Sequence, residues 1–183
     1  MNTIDTILSR RSIRRFSDRD VAANDIELIL KAANSAPSAH NRQSWRFIVL
    51  RNAKKDGLAE LVTSRARDFE RPVSSLLRMA ARSILSAPVV IAVANTGELI
   101  DHGKDLFGPG AERDFLRTME IQSSAAAVEN LLIAATATGL ASVWLGVLFL
   151  IKDDVLDFLG EPSGEFMAVV PVGHPIKDGA GPQ

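Results

Sequence analysis

Residues 10–16 read RRSIRRF, which sets Arg10, Arg11, Arg14 and Arg15 around Ser12 in a chain of formal net charge −1. A guanidinium presents a planar fork of donors that matches phosphate oxygens two at a time, and a serine hydroxyl adds one more donor. So dense a cluster in a near-neutral chain is the pattern of a local anion site. If the segment is helical, Arg10 and Arg14 lie four apart on one face while Arg11 and Arg15 point elsewhere. A solvated or ion-paired surface cluster would use the same residues, so the motif alone leaves both readings open.

Two further stretches carry polar or ligand-facing character. In APSAHNRQSWRFIV, residues 36–49, Asn41 and Gln43 each offer an acceptor together with donors, which suits reading the edge of a heterocycle. They would equally well bond the backbone of their own turn. In GLASVWLGVLF, residues 139–149, Gly146 marks either a bulge or a place where a flat ligand meets the backbone. Trp144 there suits a core as well as a ligand.

Other chemistries are disfavoured. The chain has no cysteine, which removes thiolate nucleophiles, disulfides and thiolate metal sites. His40, His102 and His174 are far apart with no i,i+4 pair, so no metal site is expected. GPGAE at 108–112 is the nearest approach to a glycine-rich phosphate loop, and it follows a loop rather than a strand. No triad or general acid stands out, and we assign no catalytic side chain.

These groups must be held by one domain spanning residues 1–183, since no repeat, linker or low-complexity segment divides the chain. Its 46% hydrophobic and 23% charged residues fit a soluble globular protein. Net charge near zero and few stacking aromatics argue against a nucleic-acid partner. Residues 131–151 are uncharged, yet Thr136, Thr138 and Ser142 interrupt them and Gly139 stops a helix, so no membrane span is predicted. The start lacks a basic segment leading into an apolar core, which predicts a cytoplasmic location.

The patterning predicts a helix over 3–9 capped by Thr3, with Ile4, Ile7 and Leu8 on one face. A second begins at Asn24 with Glu27 completing a capping box, and Pro37 ends it. Strands follow at 45–51 and, as a continuous apolar run, at 88–95, with helices near 54–63 and 72–86 between them. Residues 97–110 read as a glycine-punctuated loop. The longest helical pattern, 112–138, is alanine-rich and suited to close packing in a core or interface. A strand at 141–148, a helix at 152–159 and a strand at 166–173 complete an α+β layered arrangement.

The arginines, the polar turn near residue 40, the WLG of Trp144, Leu145 and Gly146, and the closing AVVPVGHP at 168–175 together resemble the FMN-dependent nitroreductase family over nearly the whole chain. The resemblance implies a three-layer α/β/α domain with a mostly antiparallel sheet, forming a homodimer with FMN at the subunit interface. By similarity, Arg10, Arg11, Ser12 and Arg14 hold the FMN phosphate and ribityl chain. Pro37, Ser38 and Ala39 form the turn that reaches the flavin from the other subunit, Asn41 and Gln43 lie near its ring, and Trp144, Leu145 and Gly146 line it. The implied activity is ping-pong hydride transfer through flavin N5, from NAD(P)H to a nitroaromatic, quinone or related small conjugated acceptor. Within 97–119, Phe107 and Phe115 are expected to help cover the flavin.

Two departures stand out. Ser44 occupies the position after Gln43 where the family commonly has proline, and Lys177 is the one nearby candidate for a further phosphate contact. RRSIRRFS, APSAHNRQSWRFIVL and the arginines of 65–82 also resemble the flavin domain attached to the ligase that matures coenzyme F420. A flavin reductase in that maturation, or a flavin-binding module without turnover, are the alternatives.

Overall fold

Residues 88–95 carry no charge, and in the computed structural model Val89–Asn95 forms a strand buried at every position. The structure describes residues 2–108 and 110–176. The helices are α1 (Thr3–Ser9), α2 (Ala23–Asn34), α3 (Asn52–Arg65), α4 (Val73–Ser86), α5 (Glu98–Phe107), α6 (Arg113–Ala137) and α7 (Lys152–Leu159). The strands are β1 (Trp45–Leu50), β2 (Val89–Asn95), β3 (Ala141–Ser142) and β4 (Glu165–Gly173).

The four strands lie in the order β1-β2-β4-β3, and every named pair is antiparallel. Side chains alternate across a strand, so β2 feeds two cores. Val90, Ala92 and Ala94 join Leu58, Leu77 and Ile84 of α3 and α4 on one face. Val89, Ile91 and Val93 join Ile29 of α2 and Val128 and Leu131 of α6 on the other. Burying each of the larger aliphatic side chains contributes roughly 1.5–3 kcal/mol. Helices therefore cover both faces of an antiparallel sheet, the α+β three-layer arrangement expected.

Several local expectations are corrected. Asn2, not Thr3, caps α1, its side chain accepting from the Asp5 amide at 3.0 Å. Ile4, Ile7 and Leu8 are exposed, and Thr6 is the buried residue of that helix. Helix α2 starts at Ala23 behind Ala22 with no side-chain cap, so the Asn24–Glu27 capping box does not form. Val21, just before it, is buried, and that anchor sets the start of the helix ahead of the polar residues. Residues 98–107 are helix rather than loop, because Leu99 buries its side chain and Gly103 lies tight against Leu116 of α6.

The strand expected at 141–148 ends after Ser142, and Gly146–Ile151 is a 3-10 helix. The chain turns there because the Leu145 amide bonds the Val169 carbonyl at 3.0 Å, which lets Leu145 and Leu148 enter the core. The uncharged stretch 131–151 is thus shared between the end of α6, β3 and this turn. Among the described residues no helix is long and apolar enough to cross a membrane.

Candidate functional site

The arginine segment is extended, not helical. Ser12 forms a parallel bridge with Ser142, the Ile13 amide donates to the Ser142 carbonyl at 3.0 Å, and Phe16 bridges to Pro175. In an extended chain alternate residues point the same way, so Arg10, Ser12 and Arg14 share a side. The segment lies along β3 and reaches the end of β4, two residues from the start of Trp144-Leu145-Gly146.

The four guanidiniums differ in their engagement. Arg10 lies 3.8 Å from Glu129 of α6. Arg11 donates to the carbonyls of Leu8 and Arg10, each at 2.8 Å. Arg14 and Arg15 are exposed and have no ion pair or hydrogen bond among the described residues. Ser12 is exposed beside them. Trp144 is half-buried and Leu145 buried. Gly146 is exposed, and a Cβ there would meet nothing within 4 Å, so open space faces its backbone rather than a bulge.

The turn holding Pro37, Ser38, Ala39, Asn41 and Gln43 is built from unusual backbone. His40, Asn41 and Gln43 have φ of 50°, 52° and 49°, the left-handed region that non-glycine residues rarely enter. External contacts hold it. The Ala39 amide donates to Ser123 Oγ at 3.1 Å, the Gln43 amide to Ser38 Oγ at 3.0 Å, and Gln43 Nε2 to the Asn34 carbonyl at 3.0 Å. Asn34 Oδ1 in turn accepts from the Trp45 indole at 2.9 Å. Gln43 therefore bonds local backbone, whereas the exposed Asn41 side chain makes no hydrogen bond among the described residues.

Helix α5 borders this turn. His40 meets Phe107 edge-on at 4.8 Å, and Phe107 meets Phe115 at 5.6 Å in a T-shape. Arg42 lies 3.9 Å from Glu98. The two phenylalanines thus stand beside the turn, Phe107 at the end of a helix and Phe115 in the first turn of α6.

One chain does not bring the two groups together. Ser142 registers with Val172 near the end of β4, whereas Trp45 and Asn95 register with each other and Asn95 with Glu165 at its start. Seven residues of strand separate those levels, about 20 Å. Helix α6 repeats the separation, for Ala39 meets Ser123 whereas Arg10 meets Glu129 on a face about 120° round the axis. A groove of about 680 Å³ bounded by Phe16, Asp20, Arg51, Lys55, Asp56 and Pro88 holds none of the predicted residues. Among the described residues no cluster of His, Asp and Glu could hold a metal ion. Lys177 lies outside the described residues.

Sequence reasoning missed Asn34, Ser123 and Glu120. Glu120 is 1% exposed, and its Oε1 accepts from the Leu99 amide at 2.7 Å. Burial pushes its carboxyl above the ordinary value, against the Leu99 amide, the Ser44 hydroxyl and the Ile100 amide, which favour the charged form. Among the described residues neither Glu120 Oε2 nor Asn95 Nδ2 has a partner, and Ser124 donates to Asn95 Oδ1.

An antiparallel sheet with helices on both faces makes this a layered α+β fold. The profile of the Nitroreductase family matches residues 7–174, and the chain belongs to that family. A provisionally named NADH dehydrogenase/NAD(P)H nitroreductase of Archaeoglobus fulgidus is 36% identical over 141 residues, covering 77% of this chain and 65% of the relative. The NADH dehydrogenase of Thermus thermophilus is 30% identical, over 94% of this chain and 86% of its own. A solved structure of a provisionally named nitroreductase from Desulfovibrio desulfuricans, in complex with FMN, superposes with a TM-score of 0.72 at 28% identity, covering all of this chain and 91% of that one.

Proposed function

We propose that this chain is an FMN-dependent oxidoreductase that works as a homodimer, drawing reducing equivalents from NAD(P)H and delivering them to a nitroaromatic, a quinone or a related small conjugated acceptor. The observation that carries this reading is the seating of the arginine segment. The Ile13–Ser142 bond holds it extended beside the Trp144-Leu145-Gly146 backbone, and it leaves Arg14 exposed without an acidic partner among the described residues. Exposed guanidinium donors on a segment bridged to Ser142, two residues before Trp144-Leu145-Gly146, fit a phosphate-bearing planar group.

When bound, FMN supplies hydride acceptance at N5 and its onward delivery. The chain's part is to bind and orient. Arg10, Arg11, Ser12 and Arg14 would hold the phosphate and ribityl end, and the backbone of Trp144, Leu145 and Gly146 would line the ring. The turn from Pro37 to Gln43 would come from the partner copy, which accounts for its distance from the arginines of its own chain. Ile4, Ile7 and Leu8 are 63%, 45% and 68% exposed, an apolar face on α1 of the kind a second copy covers.

A visible spectrum of the purified chain, with mass identification of the released chromophore and anaerobic NADH and NADPH oxidation, tests the reading. A yellow protein releasing FMN and reduced by one of the nicotinamides is expected. A chain that takes up no FMN overturns it, and a bound flavin that neither nicotinamide reduces leaves a passive flavin carrier instead.

A further inference from the structure

We infer that Glu120 is a positioning residue: it seats α5 on α6 and, through α5, holds the strained turn at residues 39–43 in shape. The importance of that turn for turnover rests on the flavin reading above, whereas the seating stands on geometry alone.

A carboxylate is an unusual choice for a core-facing position that is 1% exposed. Its use lies in what it meets. The first amides of a helix have no partner within the helix, and that end carries partial positive charge. Glu120 Oε1 takes the Leu99 amide at 2.7 Å. The carboxyl thus holds the start of α5, and α5 in turn reaches the turn.

From that anchor α5 grips the turn at both of its own ends. Glu98 lies 3.9 Å from Arg42, and Phe107 abuts His40 at 4.8 Å. With His40, Asn41 and Gln43 all at positive φ, the turn keeps its shape only while its surroundings impose it. Loosening α5 would release Asn41 and Gln43 while leaving the arginine segment and the sheet as they are.

The test compares Glu120→Leu with Glu120→Gln in the full chain by amide hydrogen exchange and by steady-state kinetics with a quinone acceptor. In Glu120→Leu, exchange in 98–107 and 39–44 is expected to rise about tenfold or more with β2 unchanged, as for a local opening. KM for the quinone should rise severalfold while kcat stays within roughly twofold. Glu120→Gln keeps an oxygen that can accept from Leu99 and should restore both readouts. Unchanged exchange in 98–107, an equal rise in β2, a leucine variant that does not fold, or a glutamine variant as loose as the leucine one would each overturn the inference. Exchange is read without cofactor, so a chain that never bound FMN would end the flavin reading and still decide this one.

Discussion

Leu116 of α6 fills the notch that Gly103 leaves in α5: a Cβ at position 103 would stand 2.1 Å from Leu116 Cδ1. With the Leu99–Glu120 bond on one side and the Phe107–Phe115 pair on the other, the contacts run in reverse order along the two helices. The pair is antiparallel, and its seam is too tight for any side chain at 103.

Gly103→Ala therefore sets two effects against each other. Alanine favours helix by about 1 kcal/mol over glycine, and overpacking costs about 1–3 kcal/mol. Contact at 2.1 Å is far inside van der Waals range, so the variant should unfold at lower urea concentration. Adding Leu116→Ala should recover part of the loss. Equilibrium urea curves of the single and double variants check this, and a stabilised Gly103→Ala would show that the seam has slack.

Glu120 sets a pH dependence. Burial raises its carboxyl above the ordinary 4.5, so the native chain takes up a proton more readily than the unfolded one. Its ionisation penalty is full above the raised value, and stability from this group grows as pH falls toward 4.5. Glu120→Gln, neutral throughout, should gain most over the parent near about pH 8 and lose that advantage near about pH 5. Melting curves at both pH values read the difference, and an advantage that grows on acidification would contradict the sign.

The arginines make a prediction about which end of the flavin they grip. Arg10→Ala and Arg14→Ala should each weaken FMN binding by about 1.5–3 kcal/mol, the range for a hydrogen bond to a charged group. Riboflavin lacks the phosphate and should bind the variants and the parent alike. Fluorescence titrations with both ligands separate the outcomes, and equal losses for the two would move the guanidiniums away from the phosphate.

Asn34 ties the turn to the core through its carbonyl and its side chain. Asn34→Ala keeps the carbonyl that Gln43 uses but leaves the indole N–H of Trp45, a residue only 7% exposed, without its acceptor. An orphaned buried donor costs about 1–3 kcal/mol. Lower stability with a red-shifted tryptophan emission is expected, and an unchanged spectrum would count against the bond.

What was legible in the sequence depended on how local its cause was. The apolar run at 88–95 and the long pattern at 112–138 emerged as β2 and α6 because burial on two faces and helical periodicity are written into adjacent residues. Helix α5 read as a loop because Gly103 looked like punctuation, whereas its purpose is the approach of Leu116, visible only once α6 is packed. Strand β3 read too long because the bend at Leu145 is caused by Val169, a partner later in the chain. The arginines were legible by type but not by conformation, which Ser142 imposes. Glu120 did leave a trace: it aligns with Ser124, Ala127 and Leu131 on the buried face of α6, a polar residue at a core position that periodicity alone could have flagged.

The 20 Å or so of strand between the arginine segment and the 39–43 turn has a genetic corollary. A subunit crippled at Arg10 and Arg14 and a subunit crippled at Asn41 and Gln43 should each be inactive alone, yet co-refolded they would recover roughly one working centre in four, because half the random pairs are hybrids and each hybrid reunites one intact set. Complementation between two dead alleles is the behaviour of a centre shared across chains, and strict failure to complement would return both halves to one polypeptide.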